Sequence, residues 1–245
     1  MRKEPPEIKH QFKPIPPEYG FITRGMAALF RSMQKLSLSQ FFIGNRVDAF
    51  NRSDFIHLTP EQRRQATIRR ARNVDIYILS CVAFEFLGVL LVSTPAAHIP
   101  WLQYTLEIVL LLRLIDIFQV NINLSLFDVL RTGKQYNYMA SIVRSIINVI
   151  INYFEIIICY GVFYFYHLPR LEKASNWVDA FYFSAITQVT VGFGEMMPHG
   201  HLRWLTVTQF LLGYFFTALI IGRFISLLPQ SRTVAGDGQS DDPPK

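Results

Sequence analysis

Residues 187–195 read Thr-Gln-Val-Thr-Val-Gly-Phe-Gly-Glu. Two glycines at alternate positions, Gly192 and Gly194, permit backbone angles closed to other residues. Just upstream lies an aromatic-rich helical stretch, Trp177–Thr187. Ser175 stands where it can cap that helix, and Asp179 sits in the first turn, where the helix dipole favours a carboxylate. The stretch is too short to cross a bilayer. Apolar runs that are long enough flank it on both sides, roughly 140–166 and 203–228, since crossing needs about 20 mainly apolar residues. Non-helical backbone between two such runs leaves N–H and C=O groups unpaired. It is tolerated only where protein buries it or where it lines a water-filled path. With glycine freedom at alternate residues, successive carbonyls can point the same way.

Two further apolar runs precede these, roughly 74–94 and 100–120, joined by a link that holds Pro95 and Pro100. The expectation is an all-α membrane protein: four transmembrane helices, with a short re-entrant helix and a glycine-containing loop between the last two. Its parts are a cytoplasmic N-terminal region (1–73), a two-helix hairpin with its linker (74–139), a unit built around the re-entrant helix (140–229) and a short disordered tail (230–245). Composition agrees. The chain of 245 residues is 51% hydrophobic and only 17% charged, whereas a soluble domain carries about a quarter charged residues. Its net charge is +6, and 14 of its 24 Lys and Arg fall in residues 1–73. By the positive-inside rule both termini are then cytoplasmic, and the loop with Arg131 and Lys134 lies on the same side. The basic excess is topological, so no nucleic-acid partner is needed.

Within the N-terminal region, residues 21–36 place Leu29, Phe30, Met33 and Leu36 at helical spacing among Arg24, Arg31 and Lys35. Two readings stay open: an interfacial helix on lipid headgroups, or a cytosolic helix packed on a neighbour. This region is also the candidate docking point for a cytoplasmic partner. Thr59-Pro60-Glu61-Gln62 is a helix start, with Pro60 at the first helical position. No cleavable leader is expected, because no apolar core follows the first charges.

Thr187-x-x-Thr190-x-Gly192-Phe193-Gly194, set between a short aromatic helix and a final apolar span, resembles the selectivity-filter signature of the potassium-channel pore family, in the tetrameric cation channel superfamily. The resemblance covers about residues 140–228, and it implies that the re-entrant helix is a pore helix, the glycine-containing loop a selectivity filter and residues 140–229 a pore domain. It implies a potassium-selective channel subunit in the cell membrane, working as a homotetramer, with K+ as the permeant ion and no other cofactor. It implies K+ sites at the carbonyls of Thr190, Val191, Gly192 and Phe193, the Thr190 hydroxyl forming the innermost one, and backbone freedom at Gly192 and Gly194. Filter support is implied from Thr187, Tyr182, Phe183 and Glu195, with the Phe193 ring packed outward on Tyr182 and Phe183. Gly213 becomes the candidate gating hinge, with close helix packing at a small residue as the alternative, and Thr217 and Ile221 become candidates for the cavity or gate. Arg223 is placed to reach lipid headgroups. The sequence departs from the family at Glu195, where Asp is usual, and at Ile186, where some members place a carboxylate. An acidic pair behind the filter is therefore not expected, and what steadies its outer end is left open.

Glu85, Glu107, Arg113, Asp116 and Glu155 lie in apolar runs and are costly in lipid. At about 1.5 Å per residue, Glu85 sits about 16 Å from the inner end of its run and Arg113 about 18 Å from the outer end of its own. Equal depth predicts a Glu85–Arg113 ion pair, with Asp116 pairing to Arg113 or to Arg144. One arginine in the hairpin is too few for a voltage sensor. His199 and His201 flank the outer mouth as candidate proton or metal sites, or as solvated side chains. Cys81 and Cys159 read as packed thiols. No nucleophile–base pair, HExxH run or phosphate loop is present, so enzyme chemistry has no support. A weakly selective cation channel and a non-conducting scaffold or regulatory subunit are the alternatives to potassium conduction.

Overall fold

The computed structural model describes residues 20–33, 59–122 and 142–225. The expectations for Arg131, Lys134, Leu36 and the tail from Gln230 fall outside them. Six helices are described: α1 (Gly20–Met33), α2 (Pro60–Val92), α3 (Pro100–Ile122), α4 (Ile142–Tyr166), α5 (Trp177–Gln188) and α6 (Leu202–Ile225). Short 3-10 turns cover Pro95–His98 and Leu168–Arg170. Two two-residue strands, β1 (Leu171–Glu172) and β2 (Met197–Pro198), pair antiparallel, Leu171 opposite Pro198 and Glu172 opposite Met197.

Among the described residues, three stretches are long and apolar enough to cross a membrane: Ala71–Val92 in α2, Val143–Tyr166 in α4 and Leu202–Ile225 in α6. The chain is a multi-pass integral membrane protein by this measure. The fourth expected span forms a helix of 23 residues, α3. Its charges, Glu107, Arg113 and Asp116, keep it from qualifying on composition. The side chains of α3 are distributed inside out. Arg113, Asp116, Gln119 and Asn121 are buried, while Trp101, Tyr104, Ile108 and Leu111 form an exposed apolar stripe at helical spacing.

α4 holds the fold together. It packs against α5 and α6 on one side and against α2 and α3 on the other. Its buried Val149, Ile156, Cys159, Val162 and Tyr164 join Leu106, Leu110, Leu114 and Ile117 of α3, with Phe183 and Phe216, in one apolar core.

The mid-depth charges meet differently from the depth arithmetic. Arg113 Nη2 donates to both oxygens of Glu155 (2.9 and 2.8 Å) and Nη1 donates to Asp116 (3.0 Å). Glu85 hydrogen-bonds Cys159 instead, Sγ to Oε1 at 3.6 Å. The Glu85–Arg113 pair is thus replaced by Arg113–Glu155. Height along a helix says nothing of which way a side chain turns. Arg144 pairs with Asp75 at 2.7 Å and leaves Asp116 to Arg113 and to the Tyr77 hydroxyl, which donates at 2.7 Å.

Candidate functional site

α5 is built to sit still. Asn176, not Ser175, is its N-cap. The Asn176 side chain accepts from the Asp179 N–H (3.1 Å), and the Asp179 carboxylate accepts from the Asn176 N–H (3.2 Å), which closes a capping box. Ser175 serves the box from outside, donating its N–H and hydroxyl to Asp179. Those donors, the Ser175 N–H foremost, hold the Asp179 carboxyl below the usual carboxylate range.

The body of α5 is clamped between α4 and α6 by buried hydrogen bonds. The Ser184 hydroxyl donates to the Ile157 carbonyl at 2.7 Å. Gln209 of α6 donates from Nε2 to the Ser184 carbonyl and hydroxyl, both at 2.9 Å. Its Oε1 accepts from Tyr164 of α4 at 2.8 Å. Gln209 is fully buried. None of this was visible in the residue pattern. The available signal was a set of polar side chains, Tyr164, Ser184 and Gln209, inside apolar runs. Gly161 of α4 makes room for the clamp: a Cβ there would stand 2.5 Å from the Phe181 ring.

A helix leaves its last four carbonyls unpaired. Here each has a partner. Val189 N–H reaches the Ala185 carbonyl (3.1 Å), Val191 N–H the Ile186 carbonyl (3.0 Å) and Thr190 N–H the Thr187 carbonyl (3.1 Å). The Gln188 carbonyl accepts the Tyr153 hydroxyl at 3.2 Å. The chain therefore leaves α5 in a tight fold-back and enters the 190–194 stretch in a fixed direction. There the backbone hand alternates. Thr190, Gly192 and Gly194 have φ of 60°, 52° and 76°, while Val191 and Phe193 stay out of the left-handed region. Alternation between right- and left-handed backbone is the conformation that gathers successive peptide N–H groups on one side. The glycines were legible. Thr190 was not: a β-branched residue at positive φ is a strained outlier.

All five residues Thr190–Gly194 are exposed in the single subunit. The Phe193 ring is 67% exposed. The cuff expected around it is not made within one chain, because Phe183 buries its ring edge-on to Tyr164 of α4, centroids 4.8 Å apart. Tyr182 instead donates its hydroxyl to Glu195 Oε1 at 2.5 Å. The longer arm of Glu195 thus finds a partner on α5, and no second carboxylate is needed. The Glu195 acceptor pushes the Tyr182 phenol up.

Beyond Glu195 the chain is fastened to the segment that precedes α5. β2 pairs with β1, and His199 N–H donates to the Arg170 carbonyl at 2.8 Å. His199 lies 3.1 Å from Glu172. Arg170 donates to His201 Nδ1, and the His167 ring stands edge-on to His201. Desolvation, then the Arg170 charge, hold the His201 imidazole below its ordinary value. Among the described residues no group of three or more His, Cys, Asp or Glu is placed to hold a metal ion.

On α6, Gly213 is buried against the end of α5. A Cβ there would lie 2.8 Å from the Gln188 carbonyl oxygen. Thr217 and Ile221 are exposed. Arg223 donates to the Ser145 carbonyl of α4 at 3.1 Å, tying the two helix ends together.

Residues 153–230, which span most of α4, all of α5 and α6 and the stretch between, match the family model described as an ion channel. The match supports a potassium-channel-like pore over this segment. The chain is similar to Protein LctB of Geobacillus stearothermophilus, 38% identical over 54 residues, covering 22% of this chain and 40% of that protein. It is similar in the same measure to Protein LctB of Bacillus caldotenax, 36% identical over 54 residues, again 22% and 40%. The chain thus matches less than half the length of these relatives. No solved structure matches it.

Proposed function

We propose that the chain is one subunit of a potassium-selective channel, with four copies around a common pore. One observation carries the reading above the rest: an exposed five-residue stretch, fixed at the end of a buried short helix, whose backbone hand alternates at Thr190, Gly192 and Gly194. A column of carbonyls facing one way replaces the hydration shell of a dehydrated cation. The carbonyls of Thr190, Val191, Gly192 and Phe193, with the Thr190 hydroxyl innermost, are the K+ sites in this reading. Four-fold closure accords with their exposure. A stretch with its working face bare in one subunit is completed by symmetry copies of itself.

In the same reading α2, α3, α4 and α6 all cross the bilayer, α5 is re-entrant, and both termini are cytoplasmic. The inside-out α3 suits lipid, which requires charged residues to face the bundle interior. The arginines at 63, 64, 69 and 70, ahead of the first span, and Arg72 at its start set the orientation. At Gly213 the contact with Gln188 favours a packing role over a hinge. Thr217 and Ile221 line the cavity.

Flux from liposomes under an imposed gradient tests the reading. Potassium and rubidium should pass and sodium should be excluded; equal sodium flux would refute selectivity. Gly192→Ala should abolish selective flux and leave assembly intact. An added Cβ at Gly192 meets nothing of its own chain within 4 Å, so within one subunit the cost comes from φ, at about 1–2 kcal/mol. Normal selectivity in that variant would mean the filter lies elsewhere.

A further inference from the structure

Glu85 is 1% exposed and lies within the Ala71–Val92 span of α2. Its Oε1 takes the Cys159 thiol; its Oε2 has no hydrogen-bond partner. The groups that face it are Glu155 and Cys159 of α4 and Arg113 of α3. Tyr77, Cys81 and Asp116 complete the cluster around Arg113. The guanidinium serves Glu155 with Nη2 and Asp116 with Nη1, yet its buried Nε has no partner. An acceptor and a donor thus stand unused in one buried cluster and do not bond to each other.

An ionised carboxylate in hydrocarbon, with one thiol for company and a second carboxylate nearby, is the costliest state Glu85 can adopt. A neutral carboxyl in the same place costs a single unpaired hydroxyl. We propose that Glu85 is a proton-binding site inside the membrane, and that its proton decides where Arg113 is held. With the proton bound, Arg113 stays on Glu155 and locks the α2–α3 hairpin to α4. When the O–H bond breaks and the proton passes to water, the new carboxylate draws the free Nε–H of Arg113 toward α2 and weakens the grip on Glu155. α4 carries the change to the pore. Its Glu155 and Cys159 meet the hairpin, while its Ile157 carbonyl, Gly161 and Tyr164 hold α5 and Gln209.

The full chain in lipid vesicles provides the test. Infrared difference spectra of wild type against Glu85→Gln should show, at neutral pH, loss of a protonated-acid carbonyl stretch. In wild type that band should titrate away as pH is raised, and the Cys159 S–H stretch should shift with it. Loss of a carboxylate band alone at neutral pH would overturn the proton site. Should Glu85→Gln fail to assemble, Cys159→Ser serves in its place. A stronger donor should shift the acid band, and an unmoved band would overturn the assignment. Rubidium efflux tests the link to the pore: its pH dependence should be flattened by Glu85→Gln. An equal pH dependence in both proteins would overturn that link.

Discussion

Gln209→Leu is the sharpest probe of the clamp on α5. The substitution keeps the bulk of the side chain and removes three hydrogen bonds: two to Ser184 and one from Tyr164. In water, each buried group left without a partner would cost about 1–3 kcal/mol. In a bilayer the unfolded reference also finds partners, and side-chain hydrogen bonds between helices average about 0.6 kcal/mol. Three such bonds give about 2 kcal/mol per subunit. The membrane figure is the one to use, because α6 stays in lipid in the reference state. Tyr164 keeps a weaker contact to Thr206 at 3.4 Å, which places the effect at the lower end. The assay is thermal unfolding of the reconstituted protein, with rubidium and sodium flux measured beside it. Gln209→Leu should lower the midpoint and admit sodium, because α5 loses its fixed distance from α6. Tyr164→Phe should cost less alone and add little on top of Gln209→Leu, since both remove one shared bond. Wild-type stability and selectivity in Gln209→Leu, or strict additivity of the pair, would refute the clamp.

Gly161→Ala should drive a methyl into the Phe181 ring, whose nearest atoms would lie 2.5–2.9 Å away. A loss of about 1–3 kcal/mol is expected from such overpacking, read as a lower unfolding midpoint and restored by Phe181→Leu. Tyr182→Phe frees Glu195 from its 2.5 Å partner, and should lower the potassium-to-sodium flux ratio without loss of assembly. His201 favours its neutral form, which accepts from Arg170. Its contribution is therefore full above the ordinary histidine value of about 6.5 and is lost as pH falls through the depressed folded value. Acid should loosen the outer loop, as amide exchange at residues 197–201 will show, and His201→Gln should remove that acid response.

The helices were legible because lipid imposes a simple demand: long apolar runs cut by prolines and polar links. The observed limits of α4, α5 and α6 lie within a few residues of the runs read from sequence. Gly192 and Gly194 were legible for a different reason, since a left-handed backbone leaves its mark in residue type. Thr190 bears no such mark. Its φ is imposed by the fold-back onto Thr187, a contact that follows from the end of α5. The partner of Arg113 was missed because depth fixes one coordinate and rotation about the helix fixes the other; Glu155 became the partner once α4 lay against α3. Gln209 and Ser184 went unnoticed for a related reason. A single polar residue in an apolar helix announces a need for a partner, and only packing names that partner.

The short β1–β2 ladder has a consequence for the order in which the molecule is made. By tying residues 171–172 to 197–198, it closes a loop that contains all of α5 and the stretch after it. The entropy of bringing those ends together is then spent within one chain, and it grows only slowly with loop length. The contacts inside the loop are near in sequence, the kind that forms early. A subunit can therefore carry its pore loop already shaped when it meets other copies. In the proposed four-copy channel, assembly then joins finished pieces and need not order every loop at once.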